Sequence, residues 1–136
     1  MTRQLLREVV YSWGVVTDVV VDDPDPIFIS SVAIRFSSGN ELFIEAVGVD
    51  DSVRILQSEV THRPGSVEVS EWMPWSTLVG KRLEWVWTMM NQQGYVDGVQ
   101  FESSGQDQPA LQLMVIASSL KPYLVMASPG PWGAER

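Results

Sequence analysis

Between Arg82 and Phe101 the chain reads RLEWVWTMMNQQGYVDGVQF, where two tryptophans precede Asn91, Gln92, Tyr95 and Asp97. An amide pair, a phenol and a carboxylate beside an aromatic strip match a small-molecule site, in which a few polar groups orient a ligand held by apolar walls. Asp97 is the least explained of these residues; its structural role would be a side-chain bond to the backbone of the following turn. A second group lies in TDVVVDDPDP, where Asp22, Asp23 and Asp25 could steer association with a basic protein partner. That run is a poor calcium loop, because Pro24 and Pro26 stiffen it and it has neither the turn glycine nor the closing glutamate.

The chemistry available elsewhere is limited. The 136 residues contain no cysteine and one histidine, His62, which sits in the polar stretch EVTHRPGS beside Arg63. Thiolate chemistry is excluded, and a triad or transition-metal site would need a histidine placed against further ligands or a nucleophile. No GxSxG, P-loop, GxGxxG or HExxH motif occurs. A net charge of −8 with only nine scattered Lys and Arg argues against binding a phosphate backbone. The N-terminal MTRQLLREVVYSW is broken by Arg3, Arg7 and Glu8, and no run approaches the ~20 apolar residues of a membrane span. No catalytic residue, metal or cofactor is assigned. The expectation is a cytoplasmic protein that touches neither membrane nor nucleic acid.

The elements that would position these groups form two similar units. Set beside Gly80, Gly14 opens GVVTDVVV against GKRLEWVW, with Asp18 opposite Glu84. AIRFSSG then lies against GVQFESSG with one residue inserted, and LFIEAV against LQLMVIA. Apolar residues recur at every second position in Ala33–Phe36 and Val99–Phe101, the period of a half-buried strand. Each Ser-Ser-Gly supplies a glycine suited to a hairpin. Before the first unit, Leu5, Leu6, Val9 and Val10 fall at helical spacing. Before the second, Ser70 and Pro74 suit the start of another short helix. QSEVTHRPGSVEVS reads as a linker or exposed hairpin between the halves, and ASPGPWGAER as a loose tail.

The fold class read from this pattern is mainly β, with at most two short helices. Two pseudo-repeated antiparallel meanders, about 1–60 and 70–127 within one domain, form a closed or doubled-over sheet. Strict alternation along the tryptophan strand puts Leu83, Trp85, Trp87 and Met89 on one face. That face reads as core or as a homodimer surface, with Leu83 and Met89 poor flanks for a sugar platform. Val86 and Met90, on the other face, are candidates for subunit contact. Open sheet edges and the six Trp and six Met make a homodimer the expected assembly.

LVGKRLEWVWTMMNQQGYVDGVQFE with LQLMVIASSLKPYLV resembles a family of short, uncharacterised bacterial proteins, over the C-terminal half. The resemblance implies a bacterial cytoplasmic origin and no activity. Two functions follow from the residues. The first is a non-catalytic, acidic protein-binding module of regulatory or immunity type, using Asp22, Asp23 and Asp25. The second is a small-molecule-binding protein or small enzyme with a pocket between the halves, using Asp97, Tyr95, Asn91 and Gln92.

Overall fold

The computed structural model describes residues 2–23, 25, 29–59, 63–105 and 108–126. The chain opens with helix α1 (Thr2–Ser12). Four strands follow: β1 (Val16–Val21), β2 (Ser31–Phe36), β3 (Asn40–Val47) and β4 (Ser52–Glu59). After the short β5 (Val67–Glu68) come β6 (Leu83–Met90), β7 (Val96–Ser103), β8 (Pro109–Ile116) and β9 (Ser119–Met126). The strands form two antiparallel sheets, ordered β4-β3-β2-β1-β5 and β6-β7-β8-β9. The sheets double over and do not close. The second helix foreseen near Ser70 is a single 3-10 turn, Trp75–Thr77. Among the described residues no helix is long and apolar enough to cross a membrane.

Each meander buries one face against the other. Val19, Ile34, Leu42 and Ile44 of the first sheet and Val99, Phe101, Leu111 and Leu113 of the second are fully buried in one continuous core. Leu6, Val9 and Trp13 join it from α1 and the turn after it, Trp13 packing edge-on to Phe36 with ring centroids 5.3 Å apart. The α1 face so buried is the stripe that the helical spacing foretold.

The two units meet at corresponding places. Val16 N–H donates to the Lys81 carbonyl at 2.9 Å, and Gly80 N–H to the Val16 carbonyl at 2.8 Å, so the starts of the two meanders pair with each other. At the far end Ser118 N–H donates to the Asp51 carboxylate at 2.9 Å, tying the β8–β9 turn to the β3–β4 turn. Ala117 and Ser118 both have positive φ, 52° and 66°, as a two-residue hairpin turn matching the strand twist requires. Gly14 also has positive φ, 84°, and a side chain there would collide with Ser37, whose hydroxyl accepts from Val15 N–H.

A bulge in each first strand sets what faces inward. In β1 the register slips between Val16 and Asp18, and in β6 between Leu83 and Trp85. In β6, Leu83 opposes Ser103, the extra residue Glu84 is passed over, and Trp85 opposes Glu102. Alternation restarts one residue late. Leu83 and Val86 therefore face the core, while Trp85 and Trp87 face out, 57% and 49% exposed. This corrects the reading of Leu83, Trp85, Trp87 and Met89 as one shared face, core or homodimer surface, since Leu83 is core and the two tryptophans face out; it also corrects Val86 as a subunit contact, since Val86 packs on the core. The bulges also shift the repeat. Asp18 pairs with Arg35 as Trp85 pairs with Glu102, so Trp85, not Glu84, stands in the place of Asp18. Lys81-Arg82 separates Gly80 from Leu83, whereas Val15 alone separates Gly14 from Val16.

Truncating residues on either side of this bulge should give unequal losses. Leu83→Ala, which empties a buried site, should destabilise the protein by about 2–5 kcal/mol in urea unfolding. Trp85→Ala should lose about 1 kcal/mol, the value of a half-exposed aromatic contact. A larger loss at Trp85 than at Leu83 would contradict the outward placement.

Candidate functional site

A cavity lies between the halves, along the edge of the sandwich where α1 spans the gap from β4 to β6. Its volume is about 840 Å³, within the range of small-ligand sites. Each wall has a simple origin. From α1 come Arg3, Leu6, Arg7 and Val10, a stripe at i, i+3, i+4 and i+7, with Tyr11 beside them. The floor is Val53 and Ile55, the inward residues of β4. The opposite wall is β6, which contributes every residue from Leu83 to Thr88, preceded by Arg82.

That uninterrupted run is informative. A cavity beneath one face of a strand touches alternate residues; one that touches all of them runs along the strand edge. β6 is the terminal strand of its sheet and is paired only with β7. Arg82, just before it, is bridged to Val15, and from Glu84 to Met90 the backbone forms no other hydrogen bond among the described residues. The cavity is therefore a groove between a helix and an open strand edge.

Its charge opposes that of the whole chain. Three arginines and one carboxylate, Glu84, line it, although the sequence carries −8. Arg82 serves the fold, since its guanidinium donates to the Val10 and Tyr11 carbonyls at 3.3 and 3.0 Å and caps the C-terminal end of α1. Arg3 and Arg7 form no ion pair among the described residues. They lie four residues apart on one helix, where like charges repel, and Arg3 sits in the first turn, where the helix dipole disfavours a cation. Helix stability would favour acids at these positions, and the first turn contains none.

The residues singled out from the sequence lie elsewhere. Asn91, Gln92, Tyr95 and Asp97 occupy the β6–β7 turn and the strand after it, and none lines the groove. The Asn91 side-chain oxygen accepts from Gln93 N–H at 2.9 Å and Tyr95 N–H at 3.1 Å, so Asn91 shapes its own turn. Asp97 is passed over in the register, between the pairs Met89–Gly98 and Met90–Val96, and its carboxylate makes no turn bond among the described residues. In the acidic loop, the Asp22 carboxylate accepts from Ser30 N–H at 2.9 Å and Ser31 N–H at 3.0 Å, while Asp23 accepts from Asp25 N–H at 3.0 Å. Asp22 and Asp23 thereby act as loop staples; Asp22 and Asp25 are exposed. His62 lies outside the described residues.

The tryptophans form a second surface, on the outer face of the β6–β9 sheet. Trp85 and Trp87 stack on each other with centroids 5.6 Å apart and an 18° interplanar angle. Polar flanks come from the neighbouring strands and not from Leu83 or Met89. Trp87 Nε1 donates to Glu102 at 2.6 Å, Gln100 donates to the same Glu102 oxygen at 2.9 Å, and Gln112 donates to Gln100 at 2.7 Å.

The most heavily engaged carboxylate belongs to neither surface. Glu41 is fully buried on the outer side of the first sheet, where Arg63 grips it in bidentate fashion at 2.9 and 2.7 Å. Ser58 donates at 2.6 Å and Arg35 at 3.2 Å, and Arg35 also reaches Asp18. The Arg63 guanidinium lies 4.5 Å from the Phe43 ring centre, so Arg63, foreseen in a linker or exposed hairpin, packs over this sheet. Burial pushes the Glu41 pKa up, but the bonds from Arg63, Ser58 and Arg35 together outweigh it and hold the carboxyl below its ordinary range. In return Glu41 raises the Arg63 pKa. Both carboxylate oxygens of Glu41 are engaged, so the cluster is a structural clamp.

Sequence reasoning missed Arg3, Arg7, Val53 and Ile55 as one site. A signal was present for the arginines: two cations four residues apart at the start of an amphipathic helix serve no local purpose.

The Glu41 clamp gives a pH test with a defined sign. A carboxyl with a depressed folded-state pKa contributes stability above its unfolded pKa, and loses it as pH falls through the folded one. Glu41→Gln should destabilise by about 2–4 kcal/mol at neutral pH, because Arg63 and Arg35 lose their counter-charge. The gap between wild type and variant in urea unfolding should shrink below a pH of about 4. A gap independent of pH would refute the clamp.

No curated protein and no solved structure matches the chain. The family match extends well beyond the C-terminal half that carried the resemblance, taking in α1, both meanders and the segment between them. With its family model matched over residues 4–128, the chain belongs to a family of unknown function, DUF6334.

Proposed function

We infer that the protein is a non-catalytic binding protein whose ligand, an anion with an apolar body, lies in the groove between α1 and β6. One observation carries this reading: an apolar cavity of about 840 Å³ has two cations, Arg3 and Arg7, at its rim without ion-pair partners among the described residues. Buried apolar area supplies affinity, and guanidinium groups supply orientation through charge-assisted bonds to a carboxylate or similar anion. A nucleophile–base pair is missing from the lining residues, which supports binding over turnover.

The groove lies between the two halves, where a small-molecule site was foreseen, but it uses other residues. It is favoured over docking through Asp22, Asp23 and Asp25, because two of those carboxylates already hold their own loop. An acidic chain with a basic groove also discriminates: its general field repels anions that cannot enter the apolar cleft.

A fluorescent apolar anion, 1-anilinonaphthalene-8-sulfonate, is a direct probe. It should bind the folded protein, with affinity falling on the order of tenfold for Arg3→Glu/Arg7→Glu, about 1.4 kcal/mol. Both positions are exposed on α1, so urea midpoints should be preserved. Undiminished dye binding in the double variant would sink the proposal.

A further inference from the structure

We propose that the natural occupant of the groove is an extended, acidic peptide segment of a partner protein, which adds to β6 as a further strand. This rests on the groove being the binding site and names the class of ligand. The first support is geometric. Continuous lining by Arg82–Thr88 places the cavity along the strand edge; Arg82 is bridged to Val15, but from Glu84 to Thr88 the backbone has no partner besides β7 among the described residues. A compact ligand leaves such groups unmet; a peptide backbone matches them one for one.

The second support is chemical. A peptide strand in this position sends alternate side chains to opposite sides. Those turned inward meet Val53, Ile55, Leu83 and Val86, an aliphatic floor that suits Val, Ile or Leu. The chain then passes beneath Arg3 and Arg7, whose charges select Asp, Glu or a terminal carboxylate. The open part of the strand wall, Glu84 to Thr88, extends about 13 Å, so a segment of about six residues covers it with a residue to spare. The outward-facing Trp85 and Trp87 flank the same edge, where aromatic side chains commonly anchor interfaces.

The irregularities of the edge lie towards its ends, at Glu84 and between Met89 and Met90, and leave Trp85–Met89 as regular strand. β6 is eight residues long, without proline, and Glu84 is its only charged residue. Where a partner is to be received, such an open edge is expected.

The test uses the full chain, with acetylated, amidated peptides of about six residues in which aliphatic and acidic side chains alternate. A second set carries N-methyl groups on alternate amides, in either phase. N-methylation keeps every side chain and charge but removes the donors needed for a ladder, as proline does. The expected result is saturable binding that slows hydrogen exchange at β6 amides. It should weaken on the order of tenfold with one methylation phase, and by a similar factor in Arg3→Glu/Arg7→Glu. If the anionic dye binds through the arginines but peptides do not bind, or bind equally well when methylated in both phases, strand addition is overturned and the groove reading survives. If neither dye nor peptide binds, both fail. If β6 amides become protected without peptide as protein concentration rises, a second copy covers the edge and the proposal is wrong.

Discussion

The slip of register at Glu84 governs most of what distinguishes this molecule. Because β6 passes over one residue there, Leu83 and Val86 reach the core while Trp85 and Trp87 reach solvent. Without the bulge, strict alternation from Leu83 would drive two indoles between the sheets, in space already filled by Phe101, Val99 and Ile55. Close-packed interiors do not absorb such volume without strain. The bulge also bends and twists the strand where it meets α1. That is the place where the groove opens and where Arg82 turns back to cap the helix. Core composition, the tryptophan surface and the shape of the cleft thus share one cause.

The two meanders are built alike and finished differently. Corresponding bulges, corresponding hairpins and mutual pairing at Val16–Lys81 and Asp51–Ser118 make one scaffold from two similar units. On the outer face of the first unit, Asp18, Arg35, Glu41 and Ser58 occupy one row of the sheet, and Arg63 closes over it. In the second unit the corresponding row starts with Trp85 and Glu102, aromatic and open to solvent. An ionic row carries a large desolvation penalty unless every member is bonded, and here both oxygens of Glu41 are. The first sheet thereby gains a rigid outer layer, and the groove borders the second sheet, whose edge has no such cover.

Charge is distributed to match. Most acidic residues with visible partners work locally: Asp22 and Asp23 staple a loop, Asp50 accepts from Ser52, Asp51 ties two turns together, and Glu41 and Glu45 pair with arginines. The two arginines at the groove rim are the exception, serving no ion-pair partner among the described residues. Net charge describes the field of the molecule, and individual placement sets Arg3 and Arg7 at the groove.

How much was legible in advance follows from the range of each signal. Period-2 alternation, Ser-Ser-Gly turns and the Leu5–Val10 spacing are local, so the β-rich class, the meander repeat and α1 could be read from residues alone. The absence of cysteine, the single histidine and the missing catalytic motifs likewise excluded whole chemistries. A bulge has no such signature: Glu84 is passed over because of how β6 fits β7 and the opposing sheet, and one slipped residue reverses every side chain after it. The groove is less local still. Arg3 and Arg7 come from α1, Val53 and Ile55 from β4, and the open edge from β6, and only the packing of the two sheets against the helix brings them together. Composition and spacing determined the architecture of each half; the contact between halves decided where a ligand could bind.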